Sequence, residues 1–220
     1  MPLTTEINNL LKKELKLELR NRYALNGIIL YIVSTCFICY LSFKQIADES
    51  TWNSLYWIII LFSAINAITK SFVQESKGRS LYMYSIASPQ SIIISKIGYN
   101  TLLLLMLAII GYLFYGLFVG DIVQSHQQFF VTILLGCLGI SSILTLTSAL
   151  ASKANNSFGL MAILSFPIIV PLIMVIIHLS KNAIDGLNVS VSYNYMLVLG
   201  LLDIIVITLS YMLFPYLYKE

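Results

Sequence analysis

The sequence predicts an all-α integral membrane bundle of six transmembrane helices, preceded by an N-terminal amphipathic helix at the membrane surface. Of the 220 residues, 58% are hydrophobic and 10% are charged, whereas about a quarter of a soluble domain is charged. The mean hydropathy is +0.85, so the apolar side chains exceed what a core of this size can enclose. This composition excludes an ordinary soluble domain and indicates that lipid is the solvent for much of the surface.

Six apolar runs have the length of a membrane-spanning helix. A helix needs about 20 residues to cross a hydrocarbon core about 30 Å thick. The runs show no strict alternation of apolar and polar residues, which favours helices over barrel strands. The predicted spans are approximately 24–43, 54–72, 97–119, 129–151, 158–179 and 195–217, within one membrane domain that covers residues 1–220.

The basic residues predict the orientation of the chain, because Lys and Arg concentrate in cytoplasmic segments. With the N-terminus inside, eleven of the thirteen lie on the cytoplasmic side and two, Lys44 and Lys181, lie outside. The eleven are Lys12, Lys13, Lys16, Arg20, Arg22, Lys70, Lys77, Arg79, Lys96, Lys153 and Lys219. Both termini are therefore expected in the cytoplasm. The first span is longer than a signal-peptide core of about 7–15 residues and lacks a cleavage site, so we expect it to be retained.

Residues 1–23 are expected to form an interfacial helix on the cytoplasmic side. Apolar residues recur at a spacing of four, and the basic residues of the segment lie elsewhere on the helix. The apolar positions are Leu3, Ile7, Leu11, Leu15, Leu19 and Tyr23. This pattern is typical of a helix that lies on anionic lipid. The alternative is an amphipathic helix packed on a cytoplasmic protein partner.

The connection 73–96 is the longest on the cytoplasmic side and is expected to form a docking surface. Gly78 interrupts the preceding helix, and a short helical turn is expected to follow it and to end at Pro89. Its members are Leu81, Tyr82, Ser85, Ile86 and Pro89. Tyr82, Met83 and Tyr84 are residue types favoured in protein interfaces. The alternative is an aromatic belt at the membrane surface.

The chain offers little from which to build an enzyme. It contains no phosphate-binding loop, so ATP hydrolysis is expected in another polypeptide. Paired haem ligation by His126 and His178 is a weak alternative to two interfacial polar residues. Cys36 and Cys39 form a C-x-x-C, for which small buried residues are the preferred interpretation and a redox role the alternative. The net charge of +3 is spread along the chain, which argues against nucleic acid as a partner.

Three features inside the spans are candidates for special roles. Asp203 is the one acidic residue deep within a predicted span, either as a functional carboxyl group or as a shallow one that reaches water. Pro167 and Pro171 predict a kink in the fifth span. Small residues suit close helix packing or a homodimer. These are Gly116 and Gly120 in a G-x-x-x-G, and Ser141, Thr145 and Ala149 at a spacing of four.

The order and spacing of these features resemble the CcmB family, the membrane subunits of the cytochrome c maturation ABC transporter within the type-2 ABC exporter permeases. The likeness covers nearly the whole chain, from the basic start LLKKELKLELRNRYAL through the six spans. Its most specific parts are Phe72, Glu75, Ser88, Pro89 and Lys96 in the second-to-third connection, and FPIIVP at 166–171.

The resemblance implies a non-catalytic subunit of the bacterial inner membrane that works with the ATPase CcmA, with CcmC and CcmD, and with the haem chaperone CcmE. It implies no cofactor bound directly, with haem as a transported or handled ligand, or else the release of haem-loaded chaperone. It also implies that the second-to-third connection receives the ATPase. The expected docking residues are Glu75, Gly78, Arg79, Leu81, Tyr82, Ser85, Ile86, Ser88 and Pro89. The alternatives are a type-2 exporter of polysaccharide, lipid or drug, and a structural membrane scaffold.

Overall fold

The computed structural model describes residues 3–20, 22–43, 48–68, 72, 87–152 and 157–219, and within these ranges it forms seven helices. They are α1 (Leu3–Arg20), α2 (Arg22–Ser42), α3 (Glu49–Ile68), α4 (Pro89–Val119), α5 (His126–Ser152), α6 (Ser157–Ile184) and α7 (Val189–Lys219). The predicted all-α bundle is confirmed.

Five of the described helices, α3 to α7, are long and apolar enough to cross a membrane. The described apolar stretch of α2, Asn26–Ser42, is shorter, and it falls below the length of about 20 residues that a span needs. The first predicted span, 24–43, therefore stays a prediction, whereas the other five correspond to helices of sufficient length.

Successive helices from α2 to α7 run in opposite directions, which brings alternate helix ends together, whereas α1 runs in the same direction as α2 along α4. At one end of the bundle, Trp52 Nε1 near the start of α3 donates to the Gly120 carbonyl beyond the end of α4 (2.8 Å). The Tyr115 hydroxyl of α4 donates to the Trp52 carbonyl (3.1 Å). We call this the Trp52 end, and we call the end where α1 lies the N-terminal end.

Helix α4 begins eight residues before the predicted span 97–119, so residues 89–96 of the expected connection are helical. Pro89 occupies the first turn of α4 and thus begins a helix instead of ending one. Proline is favoured here because N–H groups in the first turn have no partner inside the helix, so the missing N–H of proline costs nothing. Its fixed φ also suits the start of a helix. Residues 81–86 of the expected turn lie outside the described residues.

Helix α5 forms the centre of the bundle and packs against α3, α4, α6 and α7. Most of its side chains are buried. The predicted small face of α5 lies against α4, where Asn100 Nδ2 donates to Thr145 Oγ1 (2.8 Å) and the hydroxyls of Thr101 and Ser141 are 2.6 Å apart. Small polar side chains thus permit α4 and α5 to approach closely, and they form hydrogen bonds between the two helices.

The G-x-x-x-G motif has a different role from the helix packing that its spacing predicts. Gly120 lies beyond the last residue of α4, with φ at 101°, and its N–H donates to the Gly116 carbonyl (3.0 Å). Side chains are disfavoured at this positive φ, so Gly120 serves to end the helix.

Pro167 and Pro171 both lie within α6, which is helical without interruption from Ser157 to Ile184. Their side chains are exposed on the outer face of the bundle. Because the prolines lie on that face, the absence of their N–H groups does not disturb the packing of α6 against α5. The helix therefore continues through both positions.

The close packing around α5 can be tested by a substitution at Gly136. A Cβ at this position would lie 3.0 Å from Cη2 of Trp57 and 3.2 Å from Cδ1 of Ile176, and the Trp57 ring is held by a hydrogen bond from Nε1 to Ser180 Oγ (3.0 Å). We expect Gly136→Ala to destabilise the fold by about 1–3 kcal/mol because the core is overpacked. The measurement is the thermal unfolding midpoint in detergent.

The matched control is Gly200→Ala in α7, where an added Cβ would meet nothing within 4 Å. This variant is expected to unfold at the wild-type temperature or slightly above it, since alanine favours the helix. Equal unfolding temperatures for the two variants would contradict the tight contact between α3, α5 and α6.

Candidate functional site

The start of α4 is built by the sequence Ser88–Pro89–Gln90–Ser91. Ser88 has an extended conformation (φ −66°, ψ 144°), and its Oγ accepts a hydrogen bond from the Ser91 N–H (3.4 Å). A serine with its side chain on the N–H of the third helical residue is a preferred N-cap. Local sequence therefore fixes where the long connection between α3 and α4 ends and where α4 begins.

Glu6 of α1 binds this helix start from a distance of more than 80 residues in sequence. Its Oε2 accepts hydrogen bonds from Ser91 Oγ (2.8 Å), Ser88 Oγ (2.9 Å) and the Ser88 N–H (3.3 Å). A carboxylate is also favoured at a helix N-terminus by the helix dipole. We call Glu6, Ser88 and Ser91 the N-terminal junction.

The hydrogen bonds of the junction favour the ionised form of Glu6. Those from Ser91 and then Ser88 lower the pKa of its carboxyl group below the ordinary value. A lowered pKa in the folded state means that the contribution of Glu6 is present above its unfolded pKa and is lost as the pH falls through the folded pKa. Glu6 is therefore ionised at neutral pH and accepts these hydrogen bonds as a carboxylate.

The rest of α1 packs along α4. Cδ1 of Leu11 would lie 3.2 Å from a Cβ at Gly98, so the absence of a side chain there allows the close approach. Leu10 and Leu15 pack against buried apolar clusters of the bundle. The leucine face that was expected to lie on lipid is thus occupied partly by protein, while Lys12 and Lys16 are exposed.

A second contact at the N-terminal end joins the chain just after α3 to α4 and α7. The Lys96 ammonium of α4 lies 4.5 Å from the centroid of the Phe72 ring, and the Phe72 and Phe214 ring centroids are 5.6 Å apart. Lys96 is 2% exposed. Burial of its charge against an aromatic face is a cation–π contact, and it anchors the first turns of α4.

A shallow groove of about 300 Å³ lies beside the junction, between the start of α4 and the end of α7. Its lining residues are Gln90, Tyr211, Met212, Pro215 and Tyr216. The aromatic rings and the methionine give this surface the composition of a protein-binding patch. It lies at the end of the bundle to which the sequence assigned partner docking.

Of the nine predicted docking residues, the structure places Ser88 and Pro89, both at the start of α4. The other seven, Glu75, Gly78, Arg79, Leu81, Tyr82, Ser85 and Ile86, lie outside the described residues. The residue that binds the end of this connection, Glu6, was missed by the sequence argument, because no local pattern signals a contact between residues so far apart in the chain.

A buried polar network near the Trp52 end was also missed. Ser180 Oγ donates to Asn53 Oδ1 (2.7 Å) and accepts from Trp57 Nε1 (3.0 Å), while Asn53 Nδ2 donates to the Ile177 carbonyl (2.9 Å). Each of these polar groups is satisfied inside the protein, as an apolar environment requires. The network fixes α3 against α6.

The two histidines lie against different partners. The Tyr112 hydroxyl is 3.1 Å from His126 Nδ1 and donates to the Asp121 carboxylate (3.0 Å). The His178 ring stacks on Tyr195, with centroids 5.8 Å apart. Cys36 and Cys39 are free and buried in α2, in agreement with the structural interpretation of the C-x-x-C.

Asp203 of α7 is 2% exposed, and neither of its carboxylate oxygens forms a hydrogen bond. The carboxyl group lies against Gly139 of α5, where a Cβ would overlap its Oδ1. The structure thus places the Asp203 side chain inside the bundle, where it is almost fully buried.

Five long apolar helices, with buried polar groups satisfied mainly inside the protein, define a multi-pass α-helical membrane protein. Within the described residues no group of three or more His, Cys, Asp or Glu side chains could hold a metal ion. The family described as CcmB protein matches residues 5–216. The chain therefore belongs to the CcmB family, as its resemblance indicated, and this family supplies the permease of an ABC transporter for cytochrome c biogenesis. No curated protein matches the chain.

Glu6→Ala tests the N-terminal junction. It removes the acceptor for two hydroxyls and one N–H at the start of α4. We expect amide hydrogen exchange over residues 88–92 to become several-fold faster, because the first turn of α4 opens more often. The measurement is exchange mass spectrometry of the purified full chain.

Thr5→Ala is the matched control, since Thr5 is the neighbouring residue on α1 and is exposed. It is expected to leave the exchange of residues 88–92 unchanged. Identical exchange in Glu6→Ala and Thr5→Ala would show that the junction contributes nothing to the start of α4.

Proposed function

We propose that this chain is a non-catalytic transmembrane subunit that converts ATP hydrolysis by a partner ATPase into movement of α4. Membership of the CcmB family gives the class of complex, an ABC transporter for cytochrome c biogenesis. The finer proposal is that residues 75–89 receive the ATPase on the cytoplasmic face of a bacterial inner membrane.

The N-terminal junction is the observation that carries the proposal. A partner that displaces the connection acts on Ser88, and Ser88 is bonded both to α4 and to Glu6 of α1. Displacement of the connection is therefore passed to two helices at once. A flexible linker between the docking surface and the bundle would absorb this displacement, whereas a capped helix start transmits it.

Helix α4 is placed to spread such a motion through the bundle. It is 31 residues long and packs against α1, α2, α3, α5 and α7. Its first turns are anchored by Lys96 on Phe72, and its far end meets Trp52 through Tyr115 and Gly120. A helix with contacts along its whole length acts as a lever between the two ends.

The Trp52 end supplies a fixed point for this lever. The hydrogen bonds of Asn53 and Ser180 tie α3 to α6, and Gln128 of α5 donates to the Leu187 carbonyl in the turn before α7 (2.8 Å). Polar contacts satisfied in an apolar interior are costly to break. We infer that the N-terminal end moves relative to a more rigid opposite end.

The proposed partners are the ATPase CcmA, CcmC, CcmD and the haem chaperone CcmE, with haem as the ligand that the complex handles. The proposed docking surface consists of Glu75, Gly78, Arg79, Leu81, Tyr82, Ser85, Ile86, Ser88 and Pro89. The groove at Gln90 and Tyr211 extends this surface with aromatic side chains. In this proposal the partner hydrolyses ATP, and this subunit undergoes the conformational change.

An insertion tests the coupling. Two residues, Gly-Ser, placed between Ala87 and Ser88 keep the N-cap and Glu6 contacts but add a flexible joint before them. We expect the variant to insert into the membrane and to bind the ATPase, while c-type holocytochrome falls to the level of a deletion strain. The measurements are haem-stained holocytochrome and ATPase activity of the purified complex.

The same insertion in the connection between α2 and α3, at the other end of the bundle, is the control and is expected to support maturation. Normal holocytochrome with the Ala87–Ser88 insertion would contradict the coupling. Retention of the chain in a complex without any change in ATPase activity would favour a structural scaffold. Normal cytochromes after deletion of the chain would favour an exporter of another substrate.

A further inference from the structure

The carboxyl group of Asp203 lies in the middle third of α7, enclosed by three helices. Its neighbours include Gly139 of α5 and Leu172 of α6, and the buried residues one turn away on α7 are Leu199 and Val206. The surface of Asp203 accessible to solvent is 2%. These neighbours offer the acid an apolar surface.

Gly139 makes room for the acid. A Cβ there would overlap Asp203 Oδ1 and lie 2.9 Å from Leu172 Cδ1. The glycine thus forms a notch in α5 that receives the carboxyl group of α7. The acid fits this notch as α5 and α7 pack together, and any larger residue in place of Gly139 would push α7 away.

No described side chain compensates a negative charge on Asp203. Both of its oxygens are buried without a hydrogen bond. The titratable side chains that the structure describes on α7 and on the helices packed against it are Lys96, Tyr99, Tyr112 and Tyr115 of α4, His126 and Cys137 of α5, His178 and Lys181 of α6, and Tyr193, Tyr195, Tyr211 and Tyr216 of α7 itself. None of them forms a hydrogen bond or an ion pair with the Asp203 carboxyl group.

A carboxylate buried without a hydrogen-bond donor or a cation is strongly disfavoured relative to its neutral acid. A metal cation would need several oxygen ligands, and within the described residues no cluster of acidic, histidine or cysteine side chains supplies them. A single proton neutralises the charge and needs no further ligand. It is therefore the ion that fits this notch.

We propose that Asp203 and Gly139 form a proton-binding site inside the bundle, and that the bound proton is what allows α7 to pack against α5. Loss of the proton leaves a charge that has to reach water, so the ionised acid favours separation of the two helices. Proton binding and α5–α7 contact are thus linked equilibria, and each favours the other. The inference goes beyond the proposed coupling to an ATPase and does not depend on it.

The direct test is infrared spectroscopy of the purified full chain in lipid vesicles at neutral pH. The difference spectrum between wild type and Asp203→Asn is expected to contain the carbonyl stretch of one protonated carboxylic acid, which shifts on transfer to D₂O. Asparagine resembles the neutral acid in shape, so this variant is expected to fold. Carboxylate bands in place of the acid band would overturn the proposal.

Asp121→Asn is the matched control, because the Asp121 side chain is 42% exposed and accepts hydrogen bonds from Tyr112. The acid band is expected to persist in this variant. Its disappearance there would assign the proton to Asp121 and would refute the site at Asp203.

Gly139→Ala tests the link to packing. The added methyl group is expected to expel the carboxyl group from the notch, so that the acid meets water and the band is lost at neutral pH. Gly200→Ala, in an open position of α7, is expected to keep the band. An unchanged acid band in Gly139→Ala would separate the proton from the α5–α7 contact and overturn that part of the proposal.

Discussion

The start of helix α4 is the constraint on which the functional account depends. The first turn of any helix leaves N–H groups without partners inside the helix, and here Ser88 and Glu6 supply the acceptors. Because one of the two acceptors belongs to α1, the capped start of α4 and the first helix of the chain are held as one unit. The long connection from α3 ends at this unit, and in the proposed function a movement of the connection reaches the bundle at Ser88.

Most of the described polar groups in the interior of the bundle meet the same requirement for hydrogen-bond partners. Hydroxyls of α5 bond to their own helix or across to α4, and Asn53, Trp57 and Ser180 satisfy one another. Asp203 has no such partner. The contrast makes the acid informative, because a bundle that satisfies these other buried polar groups leaves this one to be neutralised by a proton.

Much of the architecture follows from the sequence, since five predicted spans correspond to long apolar helices. The composition also indicates that lipid is the solvent for much of the surface. The helix start at Pro89 was within reach of the sequence, because a serine before a proline is a helix N-cap pattern. The prediction that Pro89 ends a helical turn gave more weight to the tendency of proline to terminate helices. Gly120 was similarly assigned to helix packing, although a glycine just past an apolar run is also a helix stop.

Other features depend on tertiary contacts that no local pattern encodes. Asp203 was identified as unusual from its charge alone, but its position against Gly139 depends on how α5 and α7 pack. Glu6 is one of several acids on an amphipathic helix, and nothing in its neighbourhood distinguishes it until Ser88 lies beside it. The partner network of Asn53 and Ser180 joins residues 127 positions apart, which a single sequence does not reveal.

The most direct test of the central claim is a pair of distance measurements between spin labels in the complete transporter complex, with and without ATP bound to the partner. Labels at Thr4 and Gln90 report on α1 and the start of α4, and labels at Gln90 and Asn188 report on the two ends of the bundle. We predict that the Thr4–Gln90 distance is narrow and the same in both states, while the Gln90–Asn188 distance changes. A Thr4–Gln90 distance that broadens or shifts with ATP would contradict the junction as a single moving unit.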